Sequence, residues 1–434
     1  MFKTIANAFK VKEVRNKILI TLLLLFIFRI GCWLPLPGID ISVFSTTTTD
    51  NQFLGLLSSI SGGALANGSI LALGVSPYIS ASIIIQLLTV AIPALERLSK
   101  EGGDEGRKKI NLYTRIAALV LSIAQAIGIV VAFQDYLTPS TALWASAPTW
   151  LMGTIIVLIL VAGGMFTVWL GERITDLGIG NGMSLLIFVG ILSTAGSSLL
   201  TAFQNVATDI NYLWNILIFV VALLLIFALI VFVDLGERRV PVQYAKQIKG
   251  RKMYGGQSTY IPIRVNGSGV MPIIFASALL TFPQLLISIF WPSALEWYTT
   301  WLGSGSWVYI VLTALLILFF AYFYSKITFN PDDVSRRIQQ NGGFIPGIRA
   351  GKQTSEYLGR ISNRITLFGA IFLAFIALIP SLVFKGIGGT GSIDTLLVNA
   401  FSTTGLMIVV SVALELDKQL DAQMLMRNYK GFLK

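Results

Sequence analysis

Residues 53–92 read FLGLLSSISGGALANGSILALGVSPYISASIIIQLLTVAI, a stretch without one charged side chain. Its second part, 70–92, is long enough to cross a hydrocarbon core as a helix, which takes about 20 apolar residues. Its first part, 53–69, is rich in Gly and Ser, too short and too weakly apolar to cross, yet too apolar for a solvated loop. Two readings fit it. It folds back into the protein, where neighbouring helices or a cavity must satisfy its backbone, or it is an interfacial helix. Within 70–92, Pro77 is expected to disturb helical bonding near Leu73, and a span interrupted by Gly74 and Pro77 points to a functional segment. Ser76, Ser80, Ser82 and Gln86 fit either that role or polar contacts between helices.

Working outward, nine further apolar runs reach spanning length: 18–37, 116–134, 150–170, 183–202, 213–234, 270–291, 307–325, 364–384 and 395–415. Composition agrees. Over 434 residues 55% are hydrophobic and only 12% charged, where a soluble domain carries about 25% charged residues. Met1 to Lys17 is polar and basic and leads straight into the first run, which is no cleavable signal.

The net charge of +11 tests the span count, because Lys and Arg should collect in alternate connections. They do. Thirty of the 32 bases fall in 1–17, in the connections after the second, fourth, sixth and eighth runs, and in the tail; Lys385 lies opposite and Arg29 within the first run. The other side carries Asp40, Asp50, Asp135, Asp209, Glu296 and Asp394. The expected fold is therefore an all-α integral membrane protein of ten transmembrane helices with both termini cytoplasmic. Five spans per half force the halves into opposite orientations, which places a site at their interface. That inference rests on span arithmetic, since the sequence carries no clear repeat. The expected organisation is a basic N-terminus 1–17, a first half 18–202, a second half 203–415 and a tail 416–434.

Two cytoplasmic connections are long. In 235–269, VPVQYA (240–245) and STYIPIRV (258–265) have strand composition and flank KQIKGRKMYGGQ, a ribbon with a basic tip. In 326–363, Asn330-Pro331-Asp332 starts a helix and GGFIPGIRAG (342–351) is a turn presenting Arg349. Solvated positive-inside loops explain the charge but not the strand pattern, so these connections read as a docking surface.

The exclusions are as informative. No His and a single Cys, Cys32, remove a disulfide framework, a Cys or His zinc site and the commonest general base. No phosphate-binding glycine loop with a lysine is present, so any energy source is external. No cofactor and no enzyme activity are expected. Arg29 is the only charge well inside a run, midway along the first; a structural pairing and a role in transport both fit it. An inverted-repeat secondary transporter would share the ten spans but needs a midplane charge or polar cluster. A scaffold or insertase without a pore leaves the 53–69 segment unexplained.

Five blocks carry a family resemblance: GGALANGSILALGVSPYISASIIIQLL (62–88), EGGDEGRKKINLYTR (101–115), LGERITDLGIGNGMSLLIF (170–188), the run from RRVPVQYA to FASALL (238–280) and NGGFIPGIRAGKQTSEYL (341–358). In this order they resemble the SecY family of protein-translocation channels over essentially the whole chain. The resemblance implies two inverted five-helix halves around a central pore that passes unfolded, signal-bearing polypeptides and releases nascent membrane segments sideways into the lipid bilayer. It implies a plug at 56–69, with Leu56, Leu57, Ser61, Gly62, Gly63, Ala64 and Leu65. It also implies an aliphatic pore ring of Val75, Ile79, Met183, Ile187, Ile274 and Ile408. Met183 replaces the usual isoleucine. An apolar ring dewets and blocks ions while yielding to a moving peptide.

The second, third, seventh and eighth spans would form the lateral gate. The tip residues Arg251, Lys252 and Tyr254, with Arg349, would dock the SecA motor and the ribosome, where ribosomal RNA suits the bases. SecE and SecG are the implied companion subunits. The implied location is the bacterial inner membrane, with a plastid thylakoid next.

Overall fold

The computed structural model describes residues 9, 11–37, 58, 61–100, 102–132, 148–206, 212–244, 247–249, 252–254, 258–267, 269, 271–291, 294–302, 306–386 and 403–431. A helix stands at each of the ten apolar runs. These are α1 (Lys12–Gly31), α2 (Ser76–Ala91), continued by the short α3 (Pro93–Lys100), α4 (Gly103–Ala132), α5 (Thr149–Leu177), α6 (Gly182–Val206) and α7 (Tyr212–Asp234). Next come strands β1 (Glu237–Tyr244), β2 (Gln247–Lys249), β3 (Lys252–Tyr254) and β4 (Ser258–Arg264), then α8 (Met271–Phe290), α9 (Leu295–Leu302) and α10 (Trp307–Thr328). The chain ends with α11 (Pro331–Gln340), β5 (Gly343–Phe344), α12 (Lys352–Gly386) and α13 (Thr403–Gly431). Among the described residues α4, α5, α6, α10 and α12 are by themselves long and apolar enough to cross a membrane, and α2 with α3 joins them if that pair, bent by 106°, is one span. The bend falls at Pro93, which biases Ile92 out of helical geometry.

Several ends differ from the apolar runs. Helix α1 stops at Gly31 rather than running to 37, because Pro35 and Pro37 cannot continue it. Arg29 therefore sits in its last turn and not midway along a span, where a cation complements the partial negative charge of a helix C-terminus. Helix α2 begins only at Ser76. Gly74 adopts φ +52°, and Pro77 lies in the first turn, where its missing N–H costs nothing; it starts the helix rather than disrupting one at Leu73. Helices α4 and α12 begin 13 and 12 residues before their apolar runs, and α13 continues to Gly431 through the stretch read as a tail. The extra turns of α4 and α12 carry charged and polar residues, invisible to an apolarity count.

The chain packs as two compact units, the first comprising residues 1–216, 281–304 and 388–434, the second 217–280 and 305–387. In the first, α4 packs on α2, α3 and α5, α5 on α1 and α6, and α6 on α13. Its core holds Ala126 and Ile129 of α4 with Met152, Ile156 and Leu160 of α5, and closes over Leu36, Leu65, Ala72 and Leu73. A second cluster joins Val14 of α1, Ile179 and Leu420 of α13, so the C-terminal helix is docked and not a free tail. Small residues permit this threading. A Cβ at Gly163 of α5 would lie 2.1 Å from the Ile70 carbonyl oxygen, backbone that cannot swing aside. Gly163→Val is expected to lower the thermal midpoint of the purified protein by several degrees, since overpacking typically costs about 1–3 kcal/mol; an unchanged midpoint would contradict this packing.

In the second unit, β1 pairs antiparallel with β4 from Glu237↔Arg264 to Gln243↔Ser258, the ribbon expected from its composition, with β2 and β3 as a separate hairpin toward the tip. A third strand, β5, completes the order β4-β1-β5. It is two residues long, too short to leave a period in the sequence. Val240, Val242, Ile263 and Ile345 pack with Ile338 of α11 and Leu358 of α12 to form the core beneath the sheet, and α10 packs on α12.

Candidate functional site

The segment 61–75 runs through the first unit as a chain of turns. Ser61, Ala64, Leu65, Ser69, Leu71, Ala72, Leu73 and Val75 are all buried. Of the two readings, the segment folded into the protein is the one observed; an interfacial helix would expose one side. Its backbone is satisfied locally, Asn67 N–H donating to Gly63 O at 3.0 Å, Ser69 N–H to Ala64 O at 2.9 Å and Gly74 N–H to Leu71 O at 2.8 Å. It also pairs with the chain leaving α1, where Leu36 N–H donates to Gly68 O at 2.8 Å and Ile70 N–H to Leu34 O at 2.9 Å. Non-helical backbone at membrane depth requires such protein partners.

Besides the local bond from Gly63 N–H to Ser58 O at 2.7 Å, contacts from α1, its cap residue Cys32 and α6 hold the Gly62-Gly63 end. Arg29 Nη1 donates to Gly62 O at 2.6 Å. Cys32 Sγ lies 3.8 Å from Ser61 O. A Cβ on Gly62 would stand 2.8 Å from Gly190 Cα of α6, and its φ of +73° excludes ordinary side chains as well. The one charge inside the first apolar run is thus engaged by this segment's backbone. The sequence displayed the charge but not its partner, 33 positions away, and nothing in it singled out Gly190.

The residues expected at the constriction fall as follows. Val75 is the buried residue preceding α2 and Ile79 is half-buried in its first turns. Met183 and Ile187 lie one turn apart on α6, Ile187 buried, with the Met183 sulfur closing on Gly171 of α5. Ile408 is buried on α13, which packs on α6. Ile274 is on α8 in the second unit, half-buried. Of the segment residues, Ser61 to Leu65 are those just described, whereas Leu56 and Leu57 lie outside the described residues. At the base of α6 the Gly178–Asn181 turn is fixed by Ile179 N–H donating to Thr21 Oγ1 at 3.1 Å, Gly182 N–H to Thr175 Oγ1 at 2.9 Å and Met183 N–H to Asn181 Oδ1 at 3.1 Å. Nearby, Arg115 of α4 pairs with Glu172 of α5 at 2.6 Å.

The second unit presents Arg349. Asn330 caps α11 by accepting from Asp332 N–H at 3.1 Å, as its position before Pro331 foretells. Ser335 Oγ donates to Gly351 O at 2.7 Å and Thr354 Oγ1 to Arg349 O at 2.8 Å, while Gly347 and Gly351 take φ of +81° and +99°. The turn is fixed by its backbone, leaving the Arg349 side chain exposed. Sequence reading missed Ser335 and Thr354, whose hydroxyls look like any others on a polar helix. On the outer face of β1, Arg239 bonds Glu237 at 2.7 Å and lies 4.9 Å from the centre of the Tyr260 ring; the bond to Glu237 pushes its pKa up. Lys252 and Tyr254 belong to β3, with side chains outside the described residues; Arg251 is outside them altogether.

The family model SecY matches residues 69–416. The chain belongs to the SecY family. Relatives from Streptomyces coelicolor and Thermotoga maritima, both protein translocase subunits SecY, are 41% and 40% identical, covering all of this chain and 100% and 98% of their own length. Among solved structures, a protein-conducting channel is 19% identical with a TM-score of 0.61, covering 94% of this chain and 92% of its own. A channel described by its SecY plug domain is 17% identical at 0.63 with the same coverage, and Sec61 from a canine ribosome-channel complex is 17% identical at 0.57, again 94% and 92%. This SecY-family chain is accordingly a multi-pass membrane protein with the ten-helix channel fold, a translocation channel subunit and not an enzyme. Nothing supports the secondary-transporter alternative.

Proposed function

We propose that this chain is the pore-forming subunit of a bacterial inner-membrane translocase with both termini cytoplasmic. It passes unfolded, signal-bearing polypeptides outward and releases transmembrane segments sideways. Its two inverted halves, 18–202 and 203–415, flank the pore. Residues 56–69 form the plug, and Val75, Ile79, Met183, Ile187, Ile274 and Ile408 the constriction. The second, third, seventh and eighth spans form the lateral gate. The observation that carries this reading is the segment 61–75, non-helical, largely buried and satisfied by its own turns and by the chain around the end of α1, which ends at Val75 and leads directly to Ile79. An aliphatic ring excludes ions by dewetting yet closes around many different peptides. Segments of about 20 apolar residues partition sideways, whereas a charge at mid-helix costs about 2.5–3.5 kcal/mol.

Arg349 and the ribbon tip around Arg251, Lys252 and Tyr254 dock the SecA motor and the ribosome, whose RNA the bases attract; SecE and SecG complete the complex. In a Cys32→Ser background, a cysteine probe at Ile79 is expected to crosslink to an arrested secretory chain. No crosslink there, together with saturable uptake of small solutes by the purified protein, would sink the reading.

A further inference from the structure

Helix α1 exposes Leu22, Phe26 and Ile30 along one side, and Trp33, in the turn just beyond its end, is exposed with them, Phe26 and Trp33 being 64% and 69% exposed. On a membrane protein such a face meets either lipid or another helix. Toward the end of the helix, Phe26, Arg29, Ile30, Trp33 and Leu34 line an open groove of about 310 Å³. Arg29 is half-buried in it, and its guanidinium carbon lies 5.9 Å from the centre of the Trp33 ring. Among the described residues only Nη1 is engaged, by Gly62 O, and no carboxylate pairs with the side chain. A guanidinium has five donors in a planar fork that matches a phosphate. Left facing hydrocarbon, such a group requires an anion or water. Trp33, one turn beyond, is the residue type that sits at headgroup level.

We infer that this groove binds one anionic phospholipid. Its phosphate sits on the free donors of Arg29, its glycerol region lies against Trp33, and an acyl chain runs along Phe26 and Ile30. The basic segment at the other end of α1 places this lipid in the outer leaflet, an assignment that rests on the topology proposed above, whereas the binding does not.

The test is native mass spectrometry of the purified protein titrated with phosphatidylglycerol or with phosphatidylcholine of matched chains. The wild-type protein should retain a phosphatidylglycerol that Arg29→Gln binds roughly tenfold more weakly, as loss of one charge-assisted bidentate contact implies, and phosphatidylcholine should not replace it. Trp33→Ala removes an exposed ring without touching the core and should also weaken retention. Equal retention by wild type and both variants would overturn the proposal, as would competition by soluble glycerol phosphate as effective as the lipid. A photocrosslinker at Ile30 in native membranes should label phospholipid; labelling of a protein instead would make the groove a helix-docking face and end the lipid reading. Neither readout depends on translocation, so failure here leaves the channel reading standing, and the reverse holds.

Discussion

Vesicles carrying the Arg29→Leu variant are expected to leak small ions in the absence of any exported chain, whereas wild-type vesicles stay sealed. The guanidinium donates to Gly62 O at 2.6 Å and ties that end of the segment to α1; among the described residues the other ties are the long Cys32 to Ser61 approach, the close passage of Gly62 over Gly190 and local bonds such as Gly63 N–H to Ser58 O at 2.7 Å and Ser61 Oγ to Ser58 O at 3.1 Å, which do not reach α1. A hydrogen bond to a charged group contributes about 1.5–3 kcal/mol, and each 1.4 kcal/mol is a factor of ten in population. Removing it should raise the open fraction by about one to two orders of magnitude. Arg29→Lys, which keeps the charge but not the fork, should leak less. Gly62→Val should leak through a different cause, since it imposes strain at φ +73° and a 2.8 Å approach to Gly190 Cα while leaving the charge in place. Ion flux measured with a fluorescent reporter decides it: sealed Arg29→Leu vesicles would show that this contact does not hold the proposed plug in place.

Reversing the charge at Arg349 is expected to reduce motor-driven export at least tenfold while the membrane complex stays assembled. Both halves of the expectation come from geometry. Ser335 and Thr354 hold the turn through the carbonyls of Gly351 and Arg349, and glycines occupy its left-handed positions, so the exposed side chain contributes little to the fold. A surface arginine at a docking site contributes to association and register through the acidic groups it meets, and charge reversal turns that attraction into repulsion. Export of a secretory substrate into inverted vesicles, alongside co-purification of the companion subunits, separates the outcomes. Normal export by Arg349→Glu would refute docking at this turn, and loss of assembly would show that the turn is structural after all.

Much of this was legible in the residues. The Asn330-Pro331-Asp332 start, the 240–245 and 258–265 ribbon and the exposed Arg349 turn all rest on local chemistry: a cap, β-branched composition, glycines and prolines. Misreadings occurred where distant chain decides, as at Pro77 and β5, or where an apolarity count passes over a local signal, as at Arg29. Pro77 reads as a break when its neighbours are assumed helical, but the preceding turns, threaded under Gly163, make it a first-turn residue. Arg29 reads as a midspan charge when the apolar run is taken as the helix, but prolines beyond Gly31 end the helix and leave the arginine in its last turn. Strand β5 was missed because two residues carry no period and owe their conformation to β1.

Membrane class, the number of spans and the gathering of the bases into alternate connections follow from the sequence alone, because each depends on additive local quantities: apolar length against bilayer thickness, and charge counted connection by connection. The partner of Arg29, the burial of 61–75, the frame around Arg349 and the docking of α13 on α6 depended on the folded chain. Each is a contact between residues far apart in sequence, made possible by close approach at a few glycines and a few carbonyls, and such approach leaves no local pattern to read.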